Sequence, residues 1–177
     1  GMTDKTIAMS AGSSGDTTLF RQYIYGPLQP VTVAANVVWT LFARGLEPST
    51  AMNAFPGAGL WVATSSGTLR GTIRAGGSGS VGAEYSTSLS SRPHHQSPQT
   101  SSSISVQAGD YLVLELGMVK NSTSTGNASI NFGDDSGTDI TAANVTAANN
   151  PVLVIATNFL IYNPDISVTM SLGTQAM

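Results

Sequence analysis

Four groups of residues carry side chains that can do chemistry. Asp134, Asp135 and Asp139 place three carboxylates within six residues, beside Gly133 and Gly137. Calcium takes six to eight hard oxygens, which a glycine-rich acidic loop can supply together with its carbonyls. The spacing departs from that of an EF-hand and no glutamate closes it, so the segment reads either as a calcium loop or as a solvated acidic turn. His94 and His95 form the single histidine pair of the chain. Neighbours on an extended segment point to opposite sides and do not share one metal, so the pair reads as ligand-touching or as part of an exposed polar loop. Glu115 sits in the most apolar stretch, and a buried carboxylate needs a partner. Either its face is wet, or an arginine such as Arg21, Arg70 or Arg74 meets it across a sheet. Trp61 and Tyr85 are the aromatics best placed to stack on a neutral sugar, whereas Trp39 lies on an apolar strand face and reads as core.

None of these groups makes a nucleophile with a base, or a carboxylate pair of defined separation, and the chain reads as noncatalytic. With no cysteine in 177 residues, a disulfide framework and thiolate zinc are excluded. Charged residues make up 10% of the chain, against roughly 25% in an average soluble protein. Serine and threonine supply 43 positions, so hydroxyls, amides and backbone dominate the expected surface. Seven basic residues scattered singly, in a chain of formal charge −3, give no footprint for nucleic acid. No apolar run approaches the roughly 20 residues of a membrane helix. Gly1 reads as a scar of tag removal ahead of Met2, and no signal-peptide pattern follows. The expectation is a soluble chain.

The elements that position these groups are strands. The stretch from Ile104 to Met118 reads as a short strand, a tight turn at Ala108-Gly109 and a long buried strand. Leu112, Leu114, Leu116 and Met118 share one face of it, and Tyr111, Val113 and Glu115 the other. Residues 17–25 and 36–44 have strand composition, and residues 45–57 read as a crossover loop. The segments 59–65 and 68–75 form a hairpin, its second arm turning Leu69, Gly71 and Ile73 inward and Arg70, Thr72 and Arg74 outward. Residues 76–103 read as a long loop, on the strength of glycine, serine and proline content. A short strand follows at 128–132, and a single helical turn is expected near 141–145. The run PVLVIATNFLIY, residues 151–162, is apolar on both faces and is expected at a sheet centre. Finally, Ile166, Val168, Met170 and Leu172 alternate with serine and threonine, as in an edge strand apt to pair with something.

Eight to ten short strands with almost no helix predict an all-β, two-sheet antiparallel β-sandwich, with a jelly roll favoured by length and strand number. Residues 1–16 form an N-terminal arm, and residues 17–177 a single sandwich domain with its long loop at 76–103.

Three segments in order, VVWTLFARGLEPSTAMNA, AGLWVATSSGTLRGTIRAG and SISVQAGDYLVLELG, resemble the β-sandwich modules of phage virion and tail-associated proteins and their prophage relatives. Asn150-Pro151 before a closing strand fits that pattern, and the resemblance spans about residues 36–161. It implies a noncatalytic structural protein, virion-associated or cytoplasmic before assembly, that assembles with itself and other virion proteins or attaches to surface glycans, without a cofactor unless calcium binds. A weaker similarity to C1q-like and TNF-like jelly rolls, through the Gly-Asp turn before a buried strand, implies a homotrimer. The alternative function is a carbohydrate-binding module using Trp61, Tyr85 and the loop with His94 and His95.

Overall fold

The computed structural model describes residues 3–9, 15, 17–76, 84–88, 90–96, 102–132 and 152–160. Its strands, in chain order, are β1 (Thr3–Met9), β2 (Thr17–Tyr25), β3 (Val31–Val33), β4 (Trp39–Leu46), β5 (Ala54–Ala63), β6 (Leu69–Arg74), β7 (Ser90–Gln96), β8 (Ile104–Val106), β9 (Tyr111–Lys120), β10 (Gly126–Phe132) and β11 (Val152–Ile155). A single 3₁₀ turn, Thr50–Met52, is the helical element among the described residues.

The strands form two larger antiparallel sheets and a small ladder of β3 with β8. The first sheet runs β1-β10-β4, with β7 and β11 also paired to β4. The second runs β2-β9-β5-β6. Register shows how β4 is shared. Gly45 pairs with both Ser90 and Ile130, and Phe42 with both Pro93 and Val152. A strand residue has two neighbours, so β7 occupies one side of β4 while β10 and β11 follow each other along the opposite side. If β1, β2, β4, β5, β6, β7, β9 and β10 are counted one to eight, the sheets read 1-8-3-6 and 2-7-4-5. That is the double Greek key of a jelly roll.

Alternation explains where the core lies. On β9, Leu112, Leu116 and Met118 are buried and Leu114 packs against them, as the side-chain period requires. Opposite them on β5 stand Val62, Leu60, Ala58 and Pro56, with Trp39 and Leu41 of β4 completing the layer.

The hairpin of β5 and β6 forms as expected, but with two register shifts, at Leu60/Trp61 and Val62/Ala63. Each shift adds a residue to β6 and reverses which way the next one points. Arg74 therefore turns inward and is buried, whereas Leu69, expected inside, is 60% exposed. The crossover expected at 45–57 is shorter than that, since β4 continues to Leu46 and β5 begins at Ala54. Within the loop expected at 76–103 lies β7, which carries Pro93. Among the described residues β7 pairs with β4 alone, and an edge strand tolerates a residue without an N–H. The N-terminal arm contains β1, paired along its length with β10. In the apolar run at 151–162 the described residues 152–160 hold one strand, Val152–Ile155, and among the described residues it pairs with β4 alone. The helical turn near 141–145 and the alternating segment 166–172 lie outside the described residues.

Candidate functional site

The turn ahead of β9 is fastened by several polar contacts. Gly109 adopts φ +87°, open to glycine without cost. Its N–H donates to the Leu28 carbonyl at 2.9 Å, and the Leu28 N–H donates to the Asp110 carbonyl at 2.7 Å. The buried Asp110 carboxylate accepts from the Gln107 N–H at 2.7 Å and from Arg70 Nη2 at 2.9 Å, while Arg70 Nε bridges its second oxygen. The hydrogen bond to Asp110 is the main cause that raises the Arg70 pKa above its ordinary value. Every oxygen of Asp110 thus has a structural partner, so the group fastens a turn.

Glu115, four residues from the turn's end, faces the other way. Its half-buried carboxylate accepts from Gln22 Nε2 of β2 at 3.0 Å, on the outer face of the four-stranded sheet. Of the two options for Glu115, the wet face holds, and the arginines go elsewhere. Arg70 meets Asp110, and Arg21 lies 5.8 Å from the Tyr23 ring centroid. Arg74 lies in the core, 5.6 Å from the Trp39 ring, and donates through Nε to the Ala58 carbonyl at 3.3 Å. Burial pushes its pKa down.

The outer face around Glu115 is unusually bare. Gly57 and Gly59 of β5 stand opposite Gly117 and Glu115 of β9, leaving a groove of about 330 Å³ lined also by Thr17, Leu19 and Gly76. Close approaches explain the glycines. A Cβ on Gly117 would run into the Thr18 carbonyl of β2, and one on Gly59 into the Trp61 ring, with Cη2 at 2.8 Å. Trp61 therefore lies along the sheet, half-buried, beside the groove. Around it the surface is apolar: Leu19 is 49% and Ile24 64% exposed, both on this face of β2.

The other expected ligand-binding aromatic is not at the surface. Tyr85 is 1% exposed, with its ring against Gly45, and its backbone N–H donates to the Ala54 carbonyl at 2.7 Å. Tyr85 is a core residue, and a sugar platform built on it is excluded by burial. His94 and His95 fall on β7, opposite Leu41 and Thr40 of β4. They lie on a strand rather than in a loop. Asp134, Asp135 and Asp139 lie outside the described residues. Among the described residues no three of His, Asp and Glu gather where one ion could be held. Sequence reasoning missed the groove and the Gln22 contact. The alternating Gly57 and Gly59 ahead of Trp61 were the available signal, since glycine at every second position empties one face of a strand.

No protein-family model matches the sequence, and no curated protein does. Among solved structures, that of infectious bursal disease virus strain Gt is 13% identical with a TM-score of 0.37, covering 92% of this chain and 41% of that one. The VP2 subviral particle of the same virus is 12% identical with a TM-score of 0.35, covering 89% of this chain and 36% of that one. This chain therefore spans about two-fifths or less of the chains it matches. At such identity and superposition neither bears on what the chain does.

Proposed function

We propose that the chain is a noncatalytic structural protein of the virion type that builds an assembly by self-association. The observation that carries this reading is the strand order, 1-8-3-6 against 2-7-4-5, a jelly roll of the kind used by viral shells, lectins and cupins. The outer face of the four-stranded sheet supports association, since Leu19, Ile24 and the glycine-floored groove leave an apolar surface beside few charges. The three segments resembling phage virion and tail-associated modules agree with this, and a phage or prophage protein for assembly or surface attachment is the finer form of the reading. Light-scattering mass of the full chain, followed by electron microscopy, tests it. Regular particles or oligomers are expected, and a monomer at every concentration contradicts it.

One observation favours a second reading, glycan binding. Trp61 lies flat beside a groove that also offers the Glu115 carboxylate and the Gln22 amide, the set a neutral sugar needs. A glycan array answered by the native chain and lost in Trp61→Ala would support it. Silence across the array would remove it.

A further inference from the structure

The groove beside Trp61 holds a negative charge without a matching cation. Among the described residues that line it, Glu115 is the one that carries a charge, and the rest are glycine, alanine, leucine and threonine. Arg70 is engaged with Asp110, Arg74 lies in the core beside Trp39, Arg21 lies near the Tyr23 ring, and Lys120 donates to the Ser124 carbonyl. The Glu115 carboxylate accepts through Oε1 from Gln22 Nε2 at 3.0 Å. Because the Gln22 amide turns its NH₂ group to the carboxylate, its own oxygen is left as an acceptor, and Glu115 Oε2 is a second.

The indole brings a π surface to the same place. Gly59 stands directly opposite Glu115, and opposed residues of an antiparallel pair have Cβ positions roughly 4.5–5.5 Å apart. The Trp61 ring occupies the Cβ position that Gly59 lacks, with Cη2 2.8 Å from it. The ring therefore lies next to the Glu115 side chain, and one cation can meet both, since cation–π attraction acts within about 6 Å of a ring centroid. Trp61 is half-buried, so part of the ring stays open to a ligand. At about 330 Å³ the groove is at the small end of ligand sites, a size for a short saccharide.

We propose that this groove binds an amino sugar with a free amine, a hexosamine whose C–H face lies on Trp61 while its ammonium donates to Glu115 and to the Gln22 amide oxygen. The proposal rests on the glycan reading of the groove and names the class of sugar. A neutral hexose makes the same stacking contact and can donate hydroxyls to the carboxylate. An ammonium adds ion pairing and cation–π attraction, both of which an acetylated amine lacks.

Isothermal titration calorimetry measures the affinities. Quenching of tryptophan fluorescence locates the ligand, because Trp39, the second tryptophan of the chain, is 1% exposed in the core. The probes are β-linked trimers of glucosamine, N-acetylglucosamine and glucose, with trilysine as a cation that has no sugar ring, all at about pH 6, where free amines are protonated. The native chain is expected to bind the glucosamine trimer at least about tenfold more tightly than any of the other three, with quenching. In Glu115→Gln the preference should vanish through weaker binding of the glucosamine trimer, and Trp61→Ala should weaken all three sugars. Equal affinity for the acetylated trimer, trilysine binding as tight as that of the glucosamine trimer, or a preference that persists in Glu115→Gln overturns the proposal. A glucose trimer that binds as tightly as the amine and depends on Trp61 leaves the glycan reading standing and removes the amino-sugar assignment. Silence from every sugar removes both.

Discussion

Asp110 ties several local elements together: its side chain joins β6 to the turn before β9 while its carbonyl holds Leu28. Asp110→Asn removes the charge from two hydrogen bonds of a buried group, and a loss of about 1–3 kcal/mol in urea unfolding is expected. Arg70→Ala should cost less than Asp110→Asn in the same measurement, since the arginine is exposed and solvent screens its half of the pair. Glu115→Gln should change stability by no more than about 0.5 kcal/mol, because its partner is an exposed amide. The contrast separates a carboxylate that fastens the fold from one that decorates its surface. Gly117→Ala, with no charge involved, should cost about 1–3 kcal/mol as β2 is pushed off β9, and the same unfolding curves measure it.

At the scale of elements, β9 was legible because a period of two in Leu112, Leu114, Leu116 and Met118 states both the strand and its buried face. Leu116→Ala should accordingly cost about 2–5 kcal/mol in thermal or urea unfolding. The β5–β6 hairpin was legible as a hairpin but not in its inner and outer faces. Bulges follow from local geometry that alternation does not encode, so Arg74 and Leu69 exchanged sides. Pro93 hid β7, since proline marks a loop unless the strand is already known to be an edge. The three residues of β3 are too few to show a period at all. The groove beside Trp61 escaped for a different reason. A glycine floor is an absence of side chains, and which strands bring Gly57, Gly59 and Gly117 together depends on register, not on spacing within one strand.

For the whole molecule, the proposed self-association rests on the outer face of the four-stranded sheet, where Leu19 and Ile24 leave apolar surface. Ile24 is the most exposed large apolar residue of that face, and a lysine there should alter folding stability by no more than about 0.5 kcal/mol. The decisive measurement is the light-scattering mass of the native chain beside Ile24→Lys, over a range of concentrations. Native species at multiples of 18.2 kDa are expected, shifting toward the monomer in the variant. A native chain that stays at 18.2 kDa throughout, or an assembly indifferent to the lysine, would contradict it.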